Sequence, residues 1–84
     1  MSGPRVTLYG KPGCHLCEEA RAAVADVRSE VPFDLREVDV SLDPGLQHDY
    51  GERIPVLAID GEEVLELGVE REALVSLLRE RSLQ

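Results

Sequence analysis

Val56-Leu57-Ala58-Ile59 is four apolar residues in a row, bounded by Pro55 on one side and Asp60-Gly61 on the other. A run this short between turn residues reads as a strand. Because no polar residue alternates with the apolar ones, it reads as a central strand buried on both faces of its sheet. Asp60-Gly61 then predicts a tight hairpin, since a type I′ turn needs positive φ at both central residues. Val64 to Leu67 supplies the returning strand.

The rest of the chain alternates between the two periodicities. Arg5 to Tyr9 places Val6 and Leu8 on one face and Arg5, Thr7 and Tyr9 on the other, which is a strand pattern. From Cys14 to about Ser29, Leu16, Ala20, Ala23, Val24 and Val27 form the stripe of an amphipathic helix. Glu18 and Glu19 near its start and Arg28 near its end suit the helix dipole. Phe33 to Val40 reads as a second strand whose apolar positions change phase, so a bulge or an early end is expected. Asp43-Pro44 opens a short helix reaching about Tyr50, with Gly51 as its stop. A last helix, about Glu70 to Arg81, buries Ala73, Leu74, Leu77 and Leu78.

The resulting order is β-α-β-α-β-β-α. The first crossover demands parallel strands and the Asp-Gly hairpin adds an antiparallel pair. The expectation is an α/β protein with a mixed four-stranded sheet packed with helices. At 84 residues, with no repeat or linker, residues 1–84 are expected to form a single domain.

Nine basic and 17 acidic residues give a net charge of −8, which makes nucleic acid a poor partner because phosphate neutralisation needs clustered Lys and Arg. The longest apolar stretch, Ile54 to Ile59, falls far short of the roughly 20 residues that span a bilayer. No membrane association is expected. The start, Met1-Ser2-Gly3-Pro4-Arg5, lacks the apolar region of a secretory leader, so a cytoplasmic location is expected.

Both cysteines lie in Lys11-Pro12-Gly13-Cys14-His15-Leu16-Cys17, where the first strand hands over to the first helix. A bridge closing so short a loop adds little stability. At a helix N-terminus the pair makes chemical sense, because the free N–H groups and the positive dipole end favour the thiolate, the nucleophile of disulfide exchange. Residues three apart share a helix face, so the second sulfur is within reach of the first. Cys14 is the expected nucleophile and Cys17 the resolving thiol, with Gly13 and His15 beside them as tuning residues and Lys11 adding positive charge. A Cys-x-x-Cys pair alone is also compatible with half a zinc site or with two unrelated thiols. Zinc needs two more ligands, and only His15 and His48 remain besides carboxylates. No metal site is expected.

Strand, Lys-Pro-Gly-Cys-His-Leu-Cys, helix, and then Arg53-Ile54-Pro55-Val56 opening the third strand together resemble the glutaredoxin branch of the thioredoxin fold, over about Arg5 to Arg81. Small bacterial glutaredoxin-like proteins are the nearest pattern. The resemblance implies that Cys14 attacks a substrate disulfide and that Cys17 resolves the mixed disulfide. It implies that Pro55 is a cis-proline facing the cysteines, that the Ile54 backbone pairs with substrate, and that Lys11 helps to bind a glutathione carboxylate. The chain departs from the glutaredoxin pattern at three places. His15-Leu16 replaces Pro-Tyr, Arg53-Ile54-Pro55 replaces Thr-Val-Pro, and Gly68-Val69-Glu70 replaces the Gly-Gly pair with its acid.

The function expected from these residues is a thiol-disulfide oxidoreductase acting as a monomer on disulfide-bearing proteins or small molecules. No permanently bound cofactor is expected. The electron donor would be glutathione, another thiol, or a donor of the thioredoxin-reductase type. The alternatives are a metal or iron-sulfur carrier and a non-catalytic thioredoxin-like binding module. His48 reads as a solvated residue, Tyr9 as a packing or groove-lining residue next to the cysteine loop, Tyr50 as the anchor of the short helix, and Arg53 as one half of a surface ion pair.

Overall fold

The computed structural model describes residues 3–82. The chain runs β1 (Arg5–Gly10), α1 (His15–Arg28), β2 (Asp34–Asp39), a 3-10 turn (Val40–Leu42), α2 (Pro44–Tyr50), β3 (Val56–Ile59), β4 (Glu62–Glu66) and α3 (Arg71–Ser82). This is the expected β-α-β-α-β-β-α order. Met1 and Ser2, on which part of the location reading rests, lie outside the described residues, as does the end of the expected 1–84 domain.

The sheet has the order β2-β1-β3-β4. β1 and β2 are parallel, from Arg5 opposite Asp34 to Gly10 opposite Asp39. β3 runs antiparallel to β1, with Val6 opposite Ile59 and Tyr9 opposite Val56. β3 is central, as its composition requires, and all four of its residues are buried. Asp60 and Gly61 both have positive φ, 52° and 88°, and turn the chain into β4 as the Asp-Gly pair predicts.

One face of the sheet carries Val6, Leu8, Leu57 and Ile59, packed with Ala20, Val24 and Val27 of α1 and Leu74 and Leu78 of α3. Phe33 closes this core from the connection before β2. Each fully buried Leu or Ile here contributes about 1.5–3 kcal/mol relative to an exposed position. On the opposite face Tyr9 meets Tyr50 of α2, the two rings stacked with centroids 4.2 Å apart.

Several boundaries differ from the sequence reading. Leu16 does not join the buried stripe of α1 but is 46% exposed; Cys17 takes its place, followed by Ala20, Val24 and Val27. The spacing fits both choices, and the turn into the helix sets the phase. β2 ends at Asp39, whose carboxylate accepts the Ser41 N–H at 2.9 Å and draws Val40 into the 3-10 turn. The phase change is thus an early strand end. Among the described residues a register irregularity lies between β3 and β4, at Leu57/Ala58. β4 begins at Glu62 rather than Val64 and stops before Leu67, which turns to φ 64°. In α3, Leu74 and Leu78 are buried whereas Ala73 and Leu77 are only half-buried.

Candidate active site

β1, α1 and the segment before β3 converge on the two cysteines. Gly13 adopts φ 77°, a left-handed conformation that favours glycine, and aims the chain into α1. Cys14 is the helix N-cap, with φ −98° and ψ 112°. Its Sγ accepts the backbone N–H of Cys17 at 3.2 Å, the role a Ser or Asp oxygen usually fills. Cys14 therefore lies at the end of the helix, half-exposed, while Cys17 sits one turn inside at 3% exposure. Both thiols are free.

Cys17 packs in a small cluster with Val40 and Ile54, bordered by Tyr9, Cys14, Leu46 and Tyr50. Burial pushes its thiol up to about 11, the hydrogen bond with Cys14 adds to the rise, and the Lys11 backbone N–H offsets part of it. Room for Cys17 comes from Gly10. A Cβ there would lie 3.2 Å from both Cβ and Sγ of Cys17. Gly10 reads in the sequence only as the end of a strand, and its contact with Cys17 depends on the phase of α1.

The Ile54-Pro55 peptide bond is cis, as the resemblance implies. Leu67, beyond β4, donates its N–H to Arg53 O at 3.1 Å and Pro55 O at 2.9 Å. The carbonyls on either side of Ile54 are thereby engaged. The Ile54 N–H and C=O make no hydrogen bond among the described residues.

Tyr50 carries the second layer of the site. Arg53 stacks over its ring at 5.3 Å, donates from Nη2 to Asp49 O at 3.0 Å, and pairs through Nη1 with Glu63 at 2.9 Å and Glu66 at 3.6 Å. The carboxylates raise the Arg53 guanidinium above its ordinary value, and Arg53 holds Glu63 below the usual carboxylate range. A hydrogen bond to Tyr9, reinforced by burial, moves the Tyr50 phenol to about 12. The sequence places Tyr9 beside the cysteine loop and Tyr50 in the short helix; the stack appears only when the end of α2 meets the end of β1.

The structure thus brings together Cys14, Cys17 and Ile54, with the cis bond to Pro55 directly after Ile54 and Gly13 setting the turn. Lys11 is exposed in the adjoining loop and makes no ion pair among the described residues. With Gly10, Pro12, Cys17 and Glu18, it lines a groove of about 280 Å³ between α1 and the end of β2. His15 Nε2 lies 2.6 Å from Glu19 Oε2, so a charge on its ring would be matched on the same helix. His48 is exposed on α2. Among the described residues, no three His, Cys, Asp or Glu side chains are gathered to hold a metal ion. Nor is any helix among them long and apolar enough to cross a membrane.

The profile of the glutaredoxin-like domain (DUF836) matches residues 5–79. The chain belongs to this family. An uncharacterized protein of Mycobacterium tuberculosis is 37% identical to this glutaredoxin-like chain over 68 residues, covering 75% of it and 70% of the relative. A thioredoxin of Methanocaldococcus jannaschii is 27% identical over 84 residues, covering 96% of this chain and 99% of that one. An X-ray structure of a protein from X. campestris, 33% identical, superposes with a TM-score of 0.76 over 89% of this chain and 96% of that one. The fold of this glutaredoxin-like protein is the thioredoxin fold, as the Cys-His-Leu-Cys and Arg53-Ile54-Pro55-Val56 motifs imply.

Proposed function

We propose that this glutaredoxin-like protein is a thiol-disulfide oxidoreductase that reduces disulfides in proteins or small molecules through a Cys14/Cys17 dithiol couple. The observation that carries the reading is the cap: an accessible sulfur at the start of α1, bonded to the N–H of a buried second cysteine.

The thiolate of Cys14 attacks one sulfur of the substrate disulfide. A Cys14–substrate bond forms, the substrate S–S bond breaks, and a substrate thiolate leaves with the electron pair. Cys17 then attacks Cys14 Sγ, giving up its proton to the departing thiolate. The Cys14–Cys17 disulfide forms and the second substrate thiol is released. Two electrons have moved from the dithiol to the substrate. A thiol donor, glutathione or a reductase-type dithiol, restores the pair by the reverse exchange.

The elevated value of Cys17 supports the order of events, because a buried thiol that keeps its proton at neutral pH leaves the first attack to Cys14. The unpaired Ile54 backbone supports binding of an extended substrate segment beside the cysteines. A reducing compartment, the cytoplasm, suits a couple that must be returned to the dithiol, and cell redox homeostasis is the corresponding role. No bound cofactor is required, and one chain carries the complete site.

The direct test measures reduction of a small disulfide by the protein in the presence of a thiol donor. Cys14→Ser should drop to the rate of the donor alone. Full activity in that variant would remove the proposal.

A further inference from the structure

We propose that the surface around Cys14 docks an extended, cationic protein segment that carries the substrate disulfide, in preference to an anionic disulfide. The inference rests on the oxidoreductase reading and names its substrate class.

Two exposed leucines accompany these elements, one beside Cys14 and one on the backbone that flanks Ile54. Leu16 is 46% exposed between the cysteines, and Leu67 is 57% exposed beyond β4. Leu67 is held by its N–H, shared between the carbonyls of Arg53 and Pro55, in a left-handed backbone conformation of φ 64°. Ile54, between those carbonyls, keeps its own N–H and C=O unpaired among the described residues although it is 7% exposed. Poorly hydrated, unpaired backbone groups beside exposed apolar side chains suit a partner backbone laid alongside them.

The charges select among such partners. Arg53, next to Ile54, is already engaged by Glu63, Glu66 and the Asp49 carbonyl. It has little capacity left for a ligand carboxylate. Glu18 and Glu19 lie on the first turns of α1, and Glu19 is set against His15. Lys11 adds one positive charge. Glu18 and Glu19 on α1, with Glu63 and Glu66 around the Arg53 that precedes Ile54, therefore outnumber Lys11 and Arg53, within a protein of net charge −8. A field of this sign raises the local concentration of cations, accelerates their encounter and slows that of anions.

The test uses two synthetic peptide disulfides of one sequence, with Lys flanking the disulfide in the first and Glu in the second. Second-order rates of reduction are compared across a series of salt concentrations. At low ionic strength the Lys peptide should react about tenfold faster, the lower end of electrostatic steering. The ratio should shrink as the screening length falls from about 30 Å at 0.01 M to about 8 Å at 0.15 M. The double variant Glu63→Gln/Glu66→Gln should lower the ratio several-fold, and the salt series on the unmodified protein needs no variant. Equal rates, or a faster Glu peptide, would overturn the docking proposal while leaving the oxidoreductase reading in place. Reduction of neither peptide would overturn both.

Discussion

The Sγ of Cys14 accepts the backbone N–H of Cys17 at 3.2 Å, so one cysteine caps the helix turn that holds the other. The same hydrogen bond satisfies an end-of-helix donor and aims the N–H dipole at the sulfur of the half-exposed cysteine. Its partner is out of water, under Gly10 and against Val40 and Ile54. The two sulfurs are thereby separated by burial within a single turn, as the proposed attacking and resolving roles require.

Replacing the inner thiol should stop the cycle halfway. Cys17→Ser retains the nucleophile but lacks the group that releases it, so with a disulfide substrate it should accumulate a Cys14-linked mixed disulfide. Intact-mass analysis after acid quenching should show the protein plus one substrate half as the main species. The parent protein should instead appear as the dithiol or as the internal disulfide.

The raised value of Cys17 has a stability consequence at alkaline pH. Up to its ordinary value of 9.0 the thiol is protonated in folded and unfolded chains alike, and its contribution is complete. Between 9.0 and about 11 the unfolded chain loses the proton while the folded chain keeps it, so stability falls as pH rises and the contribution is lost above that range. The loss amounts to at most about 3 kcal/mol at 1.36 kcal/mol per unit. Urea unfolding of the reduced protein at stepped pH should show this slope, and Cys17→Ser should be flatter over the same window. Tyr50, raised to about 12, is common to both proteins and cancels in the comparison.

Gly10 is a close steric constraint on Cys17. Gly10→Ala puts a methyl 3.2 Å from Cys17 Cβ and Sγ, which must yield by a few tenths of an ångström. A cost of about 1 kcal/mol is expected, at the lower end for overpacking. The rate at which the Cys14–Cys17 disulfide closes should fall more visibly than stability does. Urea unfolding measures the stability and rapid-quench alkylation the closing rate.

The order of elements, the central place of Val56–Ile59 and the Asp60-Gly61 turn were all legible in the sequence because each depends on local backbone preference or on continuous hydrophobicity. So was the position of Cys14 at a helix start. Less legible was anything that depends on helix phase. Leu16 and Cys17 both continue a 3.6-residue stripe, and only the angle at which α1 leaves β1 decides that Cys17 faces inward. Gly10 as a contact, and the Tyr9–Tyr50 stack, require elements distant in sequence to meet, which spacing along the chain does not encode.

That stack makes a further prediction. Tyr50→Leu preserves apolar volume but removes the ring from between Tyr9 and Arg53. The loss should be about 1–2 kcal/mol, combining the stacking and cation–π contributions, and it should appear as a lower urea midpoint with an unchanged m value. The intramolecular disulfide should still form, because Cys14 and Cys17 keep their positions on α1.

The central claim is tested most directly by equilibrating the protein in glutathione buffers of graded potential, trapping free thiols by alkylation and weighing the products. The account predicts one two-electron transition, from a doubly alkylated dithiol to an unalkylated Cys14–Cys17 disulfide. Absence of the internal disulfide at every potential would contradict it, whether the protein remained doubly alkylated or carried glutathione on Cys14.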